Sequence, residues 1–514
     1  MINTLYVLCM CAIAGSDAAK ILGVFALPSY SHQVVFYPVM LELANRGHEV
    51  VVITPSPVFT KATAHPNLTV IDVHEVPTKF CDELASSIGQ ETDSHTQLMF
   101  SFEVLARVFE EQFKSNDVQK LITDKRRKFD LIFYEPWARS VLGFSHLYKA
   151  PVIEFSSLAG FYDIYDEVGA VSHRLFYPFV TRKRLYNLTL WEKVSELYKQ
   201  ISLEYSYLQI EKLENEITKR IFGVDTPDLK ELRKNIEMVF LNVHPIWDFN
   251  RPVPPNVIYL GGIPRNPKKE LPKDLQSYLN ASKNGVIYMS FGSSVQPSML
   301  SEKKINIFMN VLADLPYEVL LKWDKEELLN KPKNVKLSKW FPQSDVLRHP
   351  KIKLFIMQGG LQSTDEAVMA GVPLIALPMH GDQYFNAELY EIHGIGKKLS
   401  IKTVTEEILK EAIETIIGNK SYRENLVKLR NILTDQQLSS LERAVWWTEH
   451  VIRHGGAAHL RAAAAHMTWT NYYMLDLLLL LLTILLITIL LLTLIVRLIF
   501  KNITKFIAIK VKRS

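Results

Sequence analysis

The chain has 514 residues, more than one compact core usually holds, so we expect two large domains with additional segments. Hydrophobic residues make up 48% of it and the net charge is +5. Because much of the positive excess lies at the extreme C-terminus, the charge gives no reason to expect a nucleic-acid partner.

The N-terminal segment, residues 1–19, has the composition of a cleaved secretory signal. An apolar run extends from Leu5 to Ala14, and small residues follow before Lys20. The basic residue that usually stands near Met1 is missing, and a buried first strand is the alternative. The stronger strand pattern ILGVFALP begins directly afterwards, which favours a signal peptide.

Residues 20–247 alternate between strand and helix patterns. A helix with regularly spaced apolar residues is predicted at 32–47, after the short loop SYSH. This alternation predicts an α/β domain with a mainly parallel sheet. The predicted strands of this domain lie at 20–28, 48–55, 70–76, 129–135 and 150–157.

A Pro/Gly-rich passage at 248–280 is the predicted linker, and a second α/β series occupies 281–455. This second domain includes a long helical segment from 421 to 455, which contains a return helix. Two open α/β sheets would face each other across a cleft at the carboxyl ends of their strands, where ligands bind. The predicted strands of the second domain lie at 285–294, 317–324, 334–340, 353–360 and 373–378.

A transmembrane helix is predicted at 477–496, after a juxtamembrane segment at 456–476. Its twenty apolar residues span about 30 Å as a helix. The tail 497–514 is basic and without acids, so we expect it in the cytosol and both domains in the lumen. Its last residues, KVKRS, match a dilysine-type signal for return to the endoplasmic reticulum, which predicts a type I protein of that membrane.

Cysteines and sequons fit a lumenal location. Cys9 and Cys11 lie in the predicted signal and only Cys81 remains, so no internal disulfide and no cysteine-based metal cluster is expected. A sequon at Asn502 would be cytosolic and unused. The candidate glycosylation sites are Asn67, Asn187, Asn280 and Asn419.

Polar residues and glycines follow the strands of the second domain. Glycines there let a ligand approach backbone N–H groups, and the N-terminus of the next helix favours an anion such as a diphosphate. For Gly359-Gly360 alone, a tight turn without a ligand is an equally good explanation. No Asp-X-Asp motif follows these strands, so we expect no metal site.

The run WFPQ…QGGLQSTDE…GDQ covers 44 residues from Trp340 to Gln383. It resembles the signature of the UDP-glycosyltransferases, enzymes of GT-B fold that move a sugar from a UDP-sugar to small lipophilic acceptors. The resemblance extends over nearly the whole chain and is strongest to membrane-bound microsomal members from insects. It implies two Rossmann-like domains facing a cleft.

The resemblance also implies residue roles. Trp340 would stack on the uracil, Glu366 would accept hydrogen bonds from the ribose hydroxyls, and Asp382 would bind the sugar. Without the family, Trp340 would be assigned to the core and Asp382 to a helix cap. The predicted donor-binding residues are Gly292, Ser293, Trp340, Gln343, Gln358, Gly359, Gly360, Gln362, Ser363, Glu366, Asp382 and Gln383.

Three positions concern catalysis, and at two of them this chain differs from the usual family residue. His32 occupies the place of the catalytic base, and Glu135 stands where aspartate is usual as its partner. Gln358 replaces the usual histidine beside the glycines; it can donate through its amide but cannot become cationic. Virus-encoded ecdysteroid glucosyltransferases show a similar QGG–QSTDEA run.

The implied activity is inverting, metal-independent transfer of a hexose from a UDP-sugar co-substrate, with no other cofactor. Glucose is the expected sugar, and the acceptor is a xenobiotic, plant phenolic or steroid. The alternatives are a dedicated ecdysteroid glucosyltransferase, a catalytically weak binding or regulatory relative, and a nucleotide-sugar epimerase. The sequence leaves open whether the chain forms a homo-oligomer.

Overall fold

The computed structural model describes residues 18–55, 65–75, 94–124, 126–160, 163–173, 175–180, 182–263, 269–293 and 295–513. The predicted signal, except its last two residues, and Cys81 lie outside these ranges. The described chain forms two parallel sheets, and all their pairings are parallel.

The first sheet has seven strands in the order β3-β2-β1-β4-β5-β6-β7. Its central strands are short apolar runs buried on both faces, as expected where helices cover a parallel sheet on both sides. The strands are β1 (Lys20–Val24), β2 (Glu49–Thr54), β3 (Leu68–Asp72), β4 (Leu131–Tyr134), β5 (Val152–Ser156), β6 (Ile236–Leu241) and β7 (Val257–Tyr259).

Within the described part of the first domain, seven helices accompany this sheet. The first of them packs Val35, Val39 and Leu43 into the core formed with β1 and β2. The helices are α1 (Tyr30–Asn45), α2 (Ser94–Phe113), α3 (Asn116–Thr123), α4 (Gly143–Tyr148), α5 (Ile164–Glu167), α6 (Leu190–Phe222) and α7 (Leu229–Leu232).

The second sheet has six strands in the order β10-β9-β8-β11-β12-β13. Its strands are β8 (Val286–Ser290), β9 (Glu318–Lys322), β10 (Val335–Ser338), β11 (Ile352–Met357), β12 (Leu374–Ala376) and β13 (Gly396–Lys398). Its helices are α8 (Lys273–Ala281), α9 (Glu302–Ala313), α10 (Gln343–Leu347), α11 (Leu361–Ala370), α12 (Gln383–Ile392), α13 (Glu406–Gly418) and α14 (Ser421–Thr434).

Two segments differ from the sequence-based organisation. The predicted linker 248–280 contains β7, which pairs with β6 in the first sheet, and nearly all of α8. Helix α15 (Ser440–His454) follows the second domain in sequence, but its Ala444, Val445 and Val451 pack into the first domain's core with β1 and α1. The chain therefore crosses between the domains twice.

After α15, a short helix α16 (Trp469–Tyr472) precedes α17 (Leu475–Arg513). Within the described residues α17 is the one helix long and apolar enough to cross a membrane, over Leu475–Ile509, and none of its most apolar stretch is buried. The helix is longer than the predicted span 477–496 and continues through the basic tail. It supplies a candidate membrane anchor.

Candidate functional site

The carboxyl edges of the two sheets face each other, and side chains join them across the cleft. Gln362 at the start of α11 donates from Nε2 to the backbone oxygen of Ser157, 3.1 Å away. The rings of Tyr30 and Trp340 meet edge to face with centroids 5.3 Å apart. Residues of both domains therefore line one cleft.

The first domain places a histidine, a carboxylate and a hydroxyl together. Nδ1 of His32 lies 2.6 Å from Oε1 of Glu135, which is almost fully buried after β4. The Ser157 hydroxyl lies 2.9 Å from the same oxygen and 2.7 Å from Nδ1. If both Nδ1–H and the hydroxyl donate to Glu135, Nε2 of His32 carries the lone pair that a base needs.

Two details of this triad differ from the sequence analysis. His32 lies in the first turn of α1, not in a loop before it, because the helix begins at Tyr30. Ser157 was not selected from the sequence, although its place just after a strand is the signal that picks out Glu135. The extra methylene of Glu135 does not prevent contact with the imidazole.

In the second domain, Gln343 joins the residues expected near a nucleoside. Its Nε2 donates to Glu366 at 2.7 Å and to the Ser363 hydroxyl at 2.9 Å. Trp340 is 54% exposed, which rules out the alternative that it is a core residue. An exposed indole beside a carboxylate and an amide presents one flat and one polar surface to a ligand.

Lys322, at the end of β9, was missed by the sequence analysis. Its Nζ donates to the backbone oxygen of Gly292 at 2.6 Å and lies 4.6 Å from the centre of the Trp340 ring. Burial lowers the pKa of this ammonium. Its position after a strand of the same sheet was the available signal. The structure thus places a lysine side chain between Gly292, predicted to bind the diphosphate, and Trp340, predicted to bind the uracil.

The residues predicted to bind the diphosphate, called the diphosphate cradle below, are Gly292, Ser293 and Gln358 to Gly360. They follow β8 and β11, which are neighbours in the sheet. Gly292 and Gly359 have φ values of +76° and +98°. A Cβ on Gly292 would stand 2.4 Å from Nε2 of Gln358, so this turn needs glycine. The amide of Gln358 is buried, with its Oε1 lacking a hydrogen-bond partner. Gly360 is the N-cap of α11, and Ser293 is exposed.

Asp382 lies beside the N-terminus of α11 and forms a hydrogen bond with its first residue. Its Oδ2 accepts from the backbone N–H of Leu361 at 3.2 Å and from Asn386 at 2.7 Å. Burial raises the pKa of this carboxyl above its ordinary value, although the hydrogen bonds from Asn386 and Leu361 offset part of that rise.

Gln383 is engaged within its own loop. Its Oε1 accepts from the backbone N–H groups of Met379 at 2.9 Å and His380 at 3.1 Å, and its side chain is buried. Burial lowers the pKa of His380 to about 4, so this imidazole is neutral at physiological pH. In this conformation Gln383 shapes the loop that carries Asp382.

The sequon asparagines lie at the surface to different extents. Asn187, Asn280 and Asn419 are exposed, whereas Asn67 is partly buried and donates to the backbone oxygen of Ala44. Among the residues that the structure describes, no group of three or more His, Cys, Asp or Glu is placed to hold a metal ion.

Comparison with known proteins finds relatives that are all named as UDP-sugar-dependent transferases. A sequence profile described as "UDP-glucoronosyl and UDP-glucosyl transferase" matches residues 19–513. The chain is 39% identical over 487 residues to the "Ecdysteroid UDP-glucosyltransferase" of Spodoptera littoralis nuclear polyhedrosis virus, covering 91% of this chain and 94% of that protein. It is 32% identical over 468 residues to the "UDP-glycosyltransferase UGT5" of Dactylopius coccus, covering 89% and 88%.

A solved structure supports the fold. The glycotransferase of kitacinnamycin superposes with a TM-score of 0.59 at 19% identity, over 85% of this chain and 99% of that one. Together with the two parallel sheets, this likeness confirms the predicted GT-B fold class.

Proposed function

Because the chain belongs to the UDP-glucoronosyl and UDP-glucosyl transferase family, and is therefore a UDP-glycosyltransferase, we propose that it glucosylates a hydroxyl of a small lipophilic acceptor. The observation that carries the proposal is the contact of His32 with Glu135 beside Ser157, whose backbone oxygen accepts from Gln362 of the second domain. This contact supports a base on the first-domain side of the cleft.

The proposed reaction is a single displacement. Nε2 of His32 takes the proton of the acceptor hydroxyl, and Glu135 stabilises the imidazolium that forms. The acceptor oxygen attacks the anomeric carbon as the bond from that carbon to the UDP oxygen breaks. UDP leaves with the electron pair, and the configuration inverts to give a β-glycoside.

The second domain would bind the donor without a dedicated metal. Trp340 and Gln343 would hold the uracil, and Glu366 the ribose. The turn glycines, Gln358 and the α11 N-terminus would stabilise the leaving diphosphate through hydrogen bonds that need no rearrangement. Lys322 adds a positive charge beside this cradle.

Glucose is the proposed sugar because the Spodoptera littoralis virus relative and two further viral relatives are named UDP-glucosyltransferases. A lipophilic acceptor is supported by aromatic residues of the first domain: Trp137, two residues after Glu135, and Tyr207 pack against Phe102 with ring centroids 5.0 and 5.4 Å away. A steroid is the second candidate acceptor, since the viral relatives are named for ecdysteroids. We place the reaction in the lumen of the endoplasmic reticulum.

The test uses membranes from cells that express the full chain, a model phenol, an ecdysteroid, and either UDP-glucose or UDP-glucuronate. We expect a β-glucoside from UDP-glucose, and its loss in His32→Ala at equal protein level and thermal stability. Conjugation only from UDP-glucuronate would overturn the donor assignment. No conjugate from either donor, with a folded protein that still binds UDP, would favour the binding-subunit interpretation.

A further inference from the structure

The last turns of α15 and the segment after it bring three histidines together. His450 and His454 lie one helical turn apart on α15, and His459 follows in a short 3₁₀ turn. Gly455 and Gly456 stand between them with φ values of +63° and +137°, which glycine adopts without strain. The three histidines, called the α15 histidine cluster below, have no part in the proposed glycosyl transfer.

Two of the rings hold their nitrogens at the spacing of two ligands of one metal ion. Nε2 of His450 lies 3.2 Å from Nε2 of His459. A zinc ion bound to histidine at about 2.0–2.1 Å with tetrahedral angles keeps its ligand nitrogens about 3.3 Å apart. With one ring protonated on Nε2, the same two atoms form a hydrogen bond. They can therefore take a shared cation in place of a shared proton with little movement.

His454 is the third member of the cluster. Its ring centre lies 4.5 Å from that of His450 and 5.9 Å from that of His459. Among the described residues no three ligands are already in place around one point, so the His454 side chain has to turn before it can bind the same ion. This side chain is exposed, which leaves it free to turn, and water can fill the last position.

The surroundings of His450 favour a ligand role. Trp446 stacks on its ring with centroids 5.4 Å apart, and Trp447 meets it edge to face at 5.1 Å, so its orientation is restricted. Burial and the positive charges of its neighbours lower the pKa of His450, which favours the neutral imidazole that binds metals. The nearby cation of Arg453 lies over the Trp446 ring and 3.7 Å from Oε2 of Glu449, whose negative charge balances it.

We propose that the α15 histidine cluster binds a late first-row divalent cation such as Zn²⁺, through His450 and His459 with His454 as the third ligand. Imidazole nitrogen suits Zn²⁺, Cu²⁺ and Ni²⁺. Mg²⁺ and Ca²⁺ select oxygen ligands instead, so this site discriminates against them.

The ion acts as a cross-link close to the candidate membrane anchor. The segment after Gly456 already contacts the first domain, because the backbone N–H of Ala457 and the guanidinium of Arg461 donate to Glu237 of β6 at 2.9 and 2.8 Å. A cation held by histidines on both sides of the glycine turn fixes the chain between α15 and α17. Because folding brings these ligands together, the bound ion stabilises the folded state.

The test measures Zn²⁺ binding to the full chain in detergent, after EDTA treatment, in a Cys81→Ser background and with a tag that lacks histidine. Calorimetric titration should show a site for Zn²⁺ that Mg²⁺ and Ca²⁺ do not occupy. His450→Gln and His459→Gln keep a hydrogen-bonding side chain but lose the imidazole, so each should weaken Zn²⁺ binding at least about tenfold. The matched control is His173→Gln, an exposed histidine elsewhere in the first domain, which should bind Zn²⁺ as before.

Thermal unfolding gives a second readout. A tenfold excess of Zn²⁺ over its Kd should raise the melting temperature of the starting chain by about 2 °C or more, and leave that of His459→Gln unchanged. Variants that melt normally without metal but keep the full Zn²⁺ affinity would show that His450 and His459 form a hydrogen bond only, which overturns the proposal. An equal loss of affinity in His173→Gln would assign the binding to scattered surface histidines and overturn it as well. Unchanged affinity in His454→Gln would exclude the third ligand.

Discussion

At the scale of single residues, Glu135 is the side chain on which the proposed base depends. Glu135→Gln keeps the shape and an oxygen facing His32 but removes the negative charge that would stabilise the imidazolium. We expect kcat to fall by roughly 10²–10⁴ and KM for UDP-glucose to change little. Initial rates against both substrates measure this, with the exposed Glu49→Gln as control. A fall of less than tenfold would contradict the role of Glu135.

Glu154, two residues before the end of β5, predicts a pH-dependent stability. It is 3% exposed, accepts the Tyr134 hydroxyl at 2.5 Å, and has an Oε1 without a hydrogen-bond partner. Burial raises its pKa to about 8 from 4.5. The folded state therefore binds this proton more tightly than the unfolded state, and stability falls as the pH rises between these values.

The slope for this one group is at most about 1.4 kcal/mol per pH unit. Glu154→Gln lacks the titrating group, so its melting temperature should fall less than that of the wild type between about pH 5 and pH 8. Thermal unfolding of both proteins across this range measures the difference. Parallel curves would show that Glu154 does not titrate as its burial implies.

At the scale of elements, the turn between β11 and α11 depends on Gly359. Its φ is +98°, and a Cβ would stand 3.0 Å from the backbone oxygen of Gln383. Gly359→Ala should therefore move the α11 N-terminus and raise the Kd for UDP about tenfold or more. Gly418→Ala is the matched control, because a Cβ there meets nothing within 4 Å. Calorimetric titration with UDP separates the two variants; equal affinities would contradict the cradle.

At the scale of the whole molecule, Trp247 joins the two domains. Its Nε1–H donates to Oδ1 of Asn386 at 3.0 Å, and its ring stacks on His393 with centroids 5.5 Å apart. Asn386 also donates to Asp382. Trp247→Phe keeps a ring but loses the hydrogen bond, so we expect kcat to fall about tenfold with UDP affinity retained. Loss of UDP affinity instead would place the defect in the second domain alone.

The candidate anchor predicts an orientation for the entire chain. If α17 spans the membrane with its basic end in the cytosol, both domains resist added protease in intact microsomes, whereas a tag at residue 514 does not. Replacing Lys510 and Lys512 by serine should move the protein beyond the endoplasmic reticulum. Imaging and protease protection measure both effects, and an accessible first domain would reverse the orientation.

Much of this architecture could be predicted because its signals are local. The alternation of buried strands and helices, the glycines after β8 and β11, and the apolar run of α17 depend only on neighbouring residues. The family, the enzyme class and the GT-B fold are confirmed. The residue roles, the domain boundaries and the lumenal location stay predictions.

The sequence by itself determined the fold class and the family, because periodicity and a motif of fixed length can be recognised without knowledge of any tertiary contact. Only the tertiary structure decided which distant residues meet. The pairing of β4 with β1 and β5 brings His32, Glu135 and Ser157 together, although the first two lie 103 residues apart. Long-range packing likewise placed α15 in the first domain's core and left one face of α6 exposed. Such contacts depend on strand order and on competition between apolar surfaces, which no local pattern records.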